Sequence, residues 1–445
     1  MRQALGAIPL LMSGTVVACW IAAVVLVGAL WSTRTRLLAL PPQLLLATVA
    51  VVAAVLCWWL VDHVWIPVAD GVGVFTWTWV GVIVLVTLQV FVGPWRGRGW
   101  LGLVAGLVAI LVMVLVATAA VNAHFRTYPT VADALGWNID AVPLSAVDLG
   151  PVSAPTVVDG PLDQGWRAPA GMAERGTVVT AAIPATGRAS TDAGGPAFTP
   201  REAYIYLPPA YFTEHRPLLP VLVLLAGVPG QPRDWLTGGQ LRATMDQFAA
   251  AHDGLAPVVI VPDPIGSTLA NPLCSDTSHG DVATYLQRDV PDWITTTLQV
   301  DPDHQHWAIG GISNGGTCTM QVVTRAPEVY PSFLDLSGEP HPTLGPAART
   351  LARGFDGDPQ LQAANDPFTL MERRSYPQVA GIVSVGRNDA VYRASQHEVY
   401  RRARAAGMQV QMREYDGGHA WTLWAGALRD QLPWLSERLG LTAAS

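Results

Sequence analysis

The stretch Gly310-Gly311-Ile312-Ser313-Asn314-Gly315-Gly316-Thr317-Cys318 places one serine between glycines two positions before and two after it. The G-x-S-x-G pattern is short enough to arise in any chain of 445 residues, so its surroundings decide its meaning. An apolar, strand-like run, His306–Ile312, leads straight into it, and a helix-like run, Gly315–Arg325, leaves it. Strand, sharp turn and helix together make the setting in which a serine hydroxyl is lifted clear of the backbone as a nucleophile. The reading predicts such an elbow at Ser313. The amide of Asn314 would then open the helix, where it can donate to an oxyanion. The competing interpretation is a plain strand–turn–helix with glycines for close packing.

Further strand-like runs lie at Thr177–Ile183, Ala203–Leu207, Pro220–Leu225, Pro257–Val261, Ser332–Leu336, Val379–Val385 and Val410–Tyr415. Helix-like runs fall between them, at Thr237–Ala251, Val282–Leu298, Ala394–Ala406 and Trp421–Leu439. Short apolar strands alternating with helices imply a mainly parallel sheet covered on both faces. Reactive groups in such sheets gather at the C-terminal strand ends.

A serine needs a base, and the base needs an orienting acid. After an elbow of this kind the chain order is serine, acid, histidine. His341, His397 and His419 are the histidines downstream of Ser313. His397 falls inside a predicted helix and His341 comes early, which leaves His419, just past the last predicted strand. Asp389 follows the preceding strand and is the expected acid. Asp416 competes but shares a strand end with His419, and Glu339 is a second choice. A second oxyanion donor should come from the loop Leu225-Ala226-Gly227-Val228-Pro229-Gly230. The amide of Val228 is the candidate, since Pro229 has no N–H. Trp235, Trp421 and Trp424 are expected to line a substrate pocket.

The N-terminal part has a different character. The chain is 50% hydrophobic and 14% charged, against about 25% charged in a typical soluble domain. The apolar excess is concentrated in segments at Ile8–Trp31, Leu44–Val61, Phe75–Val92 and Leu101–Val121. Each is about the 20 residues that span a hydrocarbon core. Arg34 and Arg36 lie between the first two, and Arg96 and Arg98 between the last two. Arginine-bearing short loops stay in the cytoplasm, so the chain beyond the fourth segment is expected outside the membrane. Arg2 argues weakly the other way. The segments carry no charge midway, as a transporter would be expected to, and read as an anchor. Trp58, Trp59, Trp65, Trp77, Trp79, Trp95 and Trp100 fall near the predicted interfaces.

The expected organisation is therefore a four-helix transmembrane region over residues 1–123, an extracytoplasmic linker over 124–175, and an α/β domain with a mainly parallel sheet over 176–445. The net charge of −7 offers no basic surface for nucleic acid. No Cys/His spacing suggests a metal site and no G-x-x-x-x-G-K phosphate loop is present, so no metal or cofactor is expected. Every basic residue among the 27 is arginine, which suggests a GC-rich coding bias.

The C-terminal domain resembles the esterase branch of the α/β-hydrolases that includes esterase D and the antigen 85 mycolyltransferases of actinobacteria. The resemblance is carried by Arg201-Glu202-Ala203-Tyr204-Ile205-Tyr206-Leu207-Pro208-Pro209, the 225–230 loop, Gly311-Ile312-Ser313-Asn314-Gly315 and His419-Ala420-Trp421-Thr422-Leu423-Trp424. The last is similar to the His-x-Trp-x-x-Trp of the antigen 85 group. Two departures stand out: Ala226 where many esterases have histidine, and an aspartate where antigen 85 enzymes use glutamate. The resemblance, which covers about residues 176–440, implies a serine esterase or acyltransferase; the apolar segments, which have no counterpart in those enzymes, imply that it is anchored in the membrane and faces the cell envelope. It would act on acyl esters, such as a lipid or envelope glycolipid. The alternative is a non-catalytic envelope module that keeps the hydrolase fold for binding. Cys274 and Cys318 are the cysteines of this domain. Outside the membrane they could form a disulfide; two buried free thiols are the other possibility.

Overall fold

The computed structural model describes residues 5–12, 14–32, 40–92, 99–150, 154–156, 158–187 and 198–443. Arg2, Arg34, Arg36, Arg96 and Arg98, on which the expected orientation rests, lie outside the described residues, as does Trp95. The chain divides into two units, Met1–Trp137 and Asn138–Ser445.

The first unit is built from α1 (Thr15–Ser32), α2 (Leu40–Trp59), α3 (Val74–Val92) and α4 (Gly99–Phe125). Their apolar side chains do not stop at the packed face: Val24, Val51, Leu107 and Leu111 are all exposed. A helix that is hydrophobic all round belongs in a larger core or a bilayer. Gln43–Trp65, Val74–Val92 and Trp100–Phe125 are long and apolar enough to cross a membrane, and Thr15–Leu30 is apolar but shorter. Helix does not reach back to Ile8, as the apolar run suggests. Pro9 pairs with Thr130 in an isolated bridge, Gly14 takes φ +90°, and the helix starts at Thr15. Trp79 is an internal residue, not an interfacial one: it is buried, with Trp20 stacked on it at 4.3 Å. Trp77 donates its indole N–H to Asp62 at 3.1 Å, in the π-helical turn Leu60–Trp65 that continues α2.

The second unit holds a nine-stranded sheet in the order β1-β2-β3-β5-β4-β8-β9-β10-β11. The strands are β1 (Ala141–Pro143), β2 (Thr177–Ala181), β3 (Ala203–Leu207), β4 (Val221–Leu225), β5 (Val258–Val261), β8 (Trp307–Ile312), β9 (Ser332–Leu336), β10 (Ala380–Gly386) and β11 (Gln409–Tyr415). A small ribbon of β6 (Asp276–Thr277) and β7 (Gly280–Asp281) stands apart. The pairs β2–β3 and β3–β5 are antiparallel and the other pairs of the large sheet parallel. β4 and β5, read as Val-Leu-Val-Leu-Leu and Val-Val-Ile-Val, are buried at every residue, as strands covered on both faces must be. Part of the stretch read as linker belongs to this unit. β1 pairs with β2, the amides of Leu162 and Asp163 donate to the carbonyls of Gly440 and Leu441, and Trp166 is buried. The chain leaves β4 for β5 on one side and reaches β8 on the other. β4 is thus a switch point, where a crevice opens at the strand ends.

Helices α5 (Leu241–Ala251), α6 (Asn314–Arg325), α7 (Tyr392–Ala405) and α8 (Trp421–Arg438) belong to the same unit. Cys274 and Cys318 are bonded, with Cα atoms 5.5 Å apart, so the bridge is present and not the two thiols. The bond ties the 271–276 loop to α6 across a sequence separation of 44. Closing a loop of that length restricts the unfolded chain by about 4 kcal/mol in the chain-entropy account. Pulse proteolysis in urea should therefore show a lower unfolding midpoint for the second unit with reductant than without it. Equal midpoints would show that the bond contributes nothing.

Candidate active site

Ser313 sits between β8 and α6 with φ +51° and ψ −126°. A non-glycine residue with positive φ is strained, and strain of this kind persists only where the surroundings enforce it. Here they do. The Ser313 amide donates to Leu336 O at 2.9 Å, while its carbonyl accepts from Gly316 at 2.8 Å and Thr317 at 3.1 Å. The flanking glycines are required by contact. A Cβ on Gly311 would lie 2.2 Å from Gly315 O, and one on Gly315 would lie 2.5 Å from Leu225 O. The serine pattern is therefore an elbow packed on the end of β4, as its sequence context predicts.

The loop after β4 lies against the serine: a Cβ on Gly227 would be 3.1 Å from Ser313 Cβ. This sets the Val228 amide in the loop beside Ser313 and the Asn314 amide at the first turn of the twelve-residue α6. Among the described residues, neither amide donates a hydrogen bond. The Asn314 side chain donates to Asn271 Oδ1 at 3.3 Å, on the loop that the disulfide secures.

His419 and Asp389 are brought together from separate strand ends. His419 Nδ1 lies 3.0 Å from Asp389 Oδ2. The acid is buried and its other oxygen accepts the Tyr392 amide at 3.1 Å. The two loops are joined by backbone bonds, Arg387 N to Tyr415 O at 2.8 Å and Asn388 N to Gly417 O at 2.9 Å. These bonds fix the separation of acid and histidine. The imidazole is held on two sides. Tyr392 stacks on it at 4.1 Å, and Trp424 meets it edge-on at 4.8 Å. Sequence reading did not single out Tyr392. The signal was its place three residues beyond Asp389, at the start of α7.

The competing acids have other partners. The Asp416 side chain is 94% exposed and accepts from Arg387 Nη1 at 2.6 Å. Glu339 is engaged by α6: its carboxylate accepts the Thr317 hydroxyl, and its amide donates to Thr317 Oγ1 at 2.8 Å. Asp335 on β9 is buried beneath the elbow and accepts from the Gly338 amide at 2.9 Å and from Gln396 at 3.0 Å. Burial pushes its pKa up to about 6, with those two donors pulling the other way.

The tryptophans differ from expectation. Trp235 has 0% exposure and donates its indole N–H to Leu225 O at 3.1 Å. It supports the end of β4 and cannot line an open pocket. Trp421 and Trp424 are also buried and meet edge to face at 5.5 Å, with Trp235 and Trp421 doing so at 5.4 Å. The rings form a row from Trp235 through Trp421 to Trp424, and the last meets His419. The sequence pattern marks aromatic residues near the histidine but not the side of the backbone to which they turn.

The family model described as Putative esterase matches residues 199–435, more than half of the chain. An uncharacterized protein of Corynebacterium glutamicum is 34% identical over 392 residues, covering 86% of this chain and 86% of its own. Among solved structures, a ferulic acid esterase is 23% identical with a TM-score of 0.48, covering 60% of this chain and 99% of its own. An S-formylglutathione hydrolase from Agrobacterium tumefaciens is 19% identical with a TM-score of 0.48, covering 60% and 97%. MPT51 of Mycobacterium tuberculosis is 18% identical with a TM-score of 0.39, covering 57% and 99%. With the family model matching more than half of the chain and a mainly parallel sheet carrying the elbow, the chain belongs to this esterase family and has an α/β-hydrolase fold.

Proposed function

We propose that this protein is a membrane-anchored serine esterase whose site opens outside the cytoplasmic membrane. The observation that carries the reading is the Asp389–His419 pair at 3.0 Å, in the same unit as a strained elbow serine. With Nδ1–H donating to Asp389, the His419 Nε2 is left unprotonated and can act as base. Ser313 Oγ attacks the ester carbonyl and passes its proton to His419. The amides of Val228 and Asn314 receive the oxyanion. His419 returns the proton to the leaving alkoxide, and an acyl-enzyme remains. Water resolves it in hydrolysis, an alcohol in acyl transfer; both routes use the same groups.

The apolar helices and the arginines at 34, 36, 96 and 98 support the placement. A tethered site meets membrane-borne esters at raised effective concentration, which favours a lipid or glycolipid acyl donor.

One experiment separates these statements. A membrane-impermeant fluorophosphonate is applied to spheroplasts expressing the full chain, before and after lysis. Labelling of intact spheroplasts is expected. Labelling only after lysis would reverse the orientation, and none in either case would remove the serine mechanism. Protection by a long-chain p-nitrophenyl ester should exceed protection by the acetate. The opposite order would point to a small soluble ester.

A further inference from the structure

We infer that Arg201 is a positioning residue for the oxyanion loop, locked in place by the buried carboxylate of Asp263. This rests on the serine-esterase reading above and adds to it a residue outside the triad. Asp263 lies just past the end of β5 and is fully buried. Its Oδ2 accepts from the Arg201 amide at 2.8 Å and from Arg201 Nε at 2.6 Å. Its Oδ1 accepts from Arg201 Nη2 at 2.9 Å and from the Ile265 amide at 3.2 Å. Every direction of the carboxylate is thus used, three of its four donors coming from one arginine.

The same Nη2 also donates to Gly230 O at 3.1 Å. Gly230 closes the loop that begins at the end of β4. Its own amide is held by Thr268 O at 3.1 Å, and a Cβ on it would lie 2.4 Å from Gly227 O. The loop is therefore folded tightly on itself between the glycine that touches Ser313 and the glycine that Arg201 grips. Val228 lies between those two points, so the position of its amide is set from both ends. The planar fork of arginine reaches carboxylate and carbonyl together; a lysine ammonium cannot make that set of bonds. An oxyanion donor displaced by about 1 Å forfeits much of its effect, on the order of 10²-fold in rate.

The test uses the full chain in detergent, with active sites counted by fluorophosphonate titration and rates measured on a p-nitrophenyl ester. Arg201→Lys keeps a positive charge on Asp263 but gives up the bond to Gly230. Its kcat per titrated site should fall by about 10- to 100-fold with KM changed less than about threefold. The paired variant Arg201→Met with Asp263→Asn removes the clamp without leaving a buried charge unpaired, and the asparagine oxygen still accepts from a backbone amide that Asp263 serves. It should show the same loss of kcat, with a melting midpoint near that of the wild type. A merely structural role would lower the melting midpoint and the number of titrated sites while kcat per site stayed constant; that result would overturn the inference. Failure of the wild-type protein to be labelled would instead remove the serine-esterase reading itself.

Discussion

Ser313→Ala is expected to lower kcat on an activated ester by about 10⁴-fold or more while leaving the fold unchanged. The size follows from the way the groups act. Serine, histidine and acid work as one unit, so loss of the nucleophile also idles the base and the acid. What remains is binding and whatever the oxyanion donors do for direct attack by water. The fold should survive because alanine keeps the Cβ that serine already places at φ +51°. The backbone bonds to Leu336 O and from the Gly316 and Thr317 amides do not involve the hydroxyl. Circular dichroism and melting midpoint should match the wild type. Activity above about a hundredth of wild type, with substrate turnover mapped to the same protein, would mean that Ser313 is not the nucleophile.

Much of this site is legible before any coordinates. Eight strands of the large sheet fall within a residue or two of the apolar runs that mark them, because Val/Ile-rich segments bounded by turn residues have few other options in a covered sheet. Asp389 and His419, 30 residues apart, can be paired from sequence because adjacent parallel strands deliver their C-terminal loops to the same place. β1 could not be seen: three residues, Ala141-Val142-Pro143, are too few to show a period. The start of α1 is set by Pro9 and Gly14 against a continuous apolar run, a case of backbone chemistry overriding hydropathy. The direction of Trp235 was equally hidden. Its indole pairs with a strand-end carbonyl ten residues earlier, and composition does not report which way a ring turns. The Arg201–Asp263 clamp spans 62 residues with no local pattern at either end. Sequence periodicity finds elements and the loops at their ends; it does not find polar contacts between loops of distant origin.

Asp389→Asn should be nearly as damaging as loss of the serine, on the order of 10⁴-fold in kcat, although it removes no bulk. The reason lies in the two oxygens of Asp389. One accepts the Tyr392 amide at 3.1 Å and the other faces His419 Nδ1 at 3.0 Å. An asparagine in the same place will keep its carbonyl oxygen on the Tyr392 N–H, because the reverse would set two donors against each other. Its NH2 then faces Nδ1 and makes that nitrogen the acceptor. The imidazole proton moves to Nε2, the nitrogen that must take the proton from Ser313, and the base is lost while the ring stays clamped between Tyr392 and Trp424. KM should change little, since binding of the neutral ester does not depend on the tautomer. Asp416→Asn is the matched control: that carboxylate is solvent-exposed on Arg387, and its loss should alter kcat by less than about threefold. Glu339→Gln completes the set. If it, and not Asp389→Asn, brings the large loss, then the acid is the one held by Thr317 and the assignment of Asp389 is wrong. If Asp389→Asn retains more than about a tenth of wild-type kcat, His419 is oriented by its ring packing alone and the carboxylate is a loop support through its bond to Tyr392.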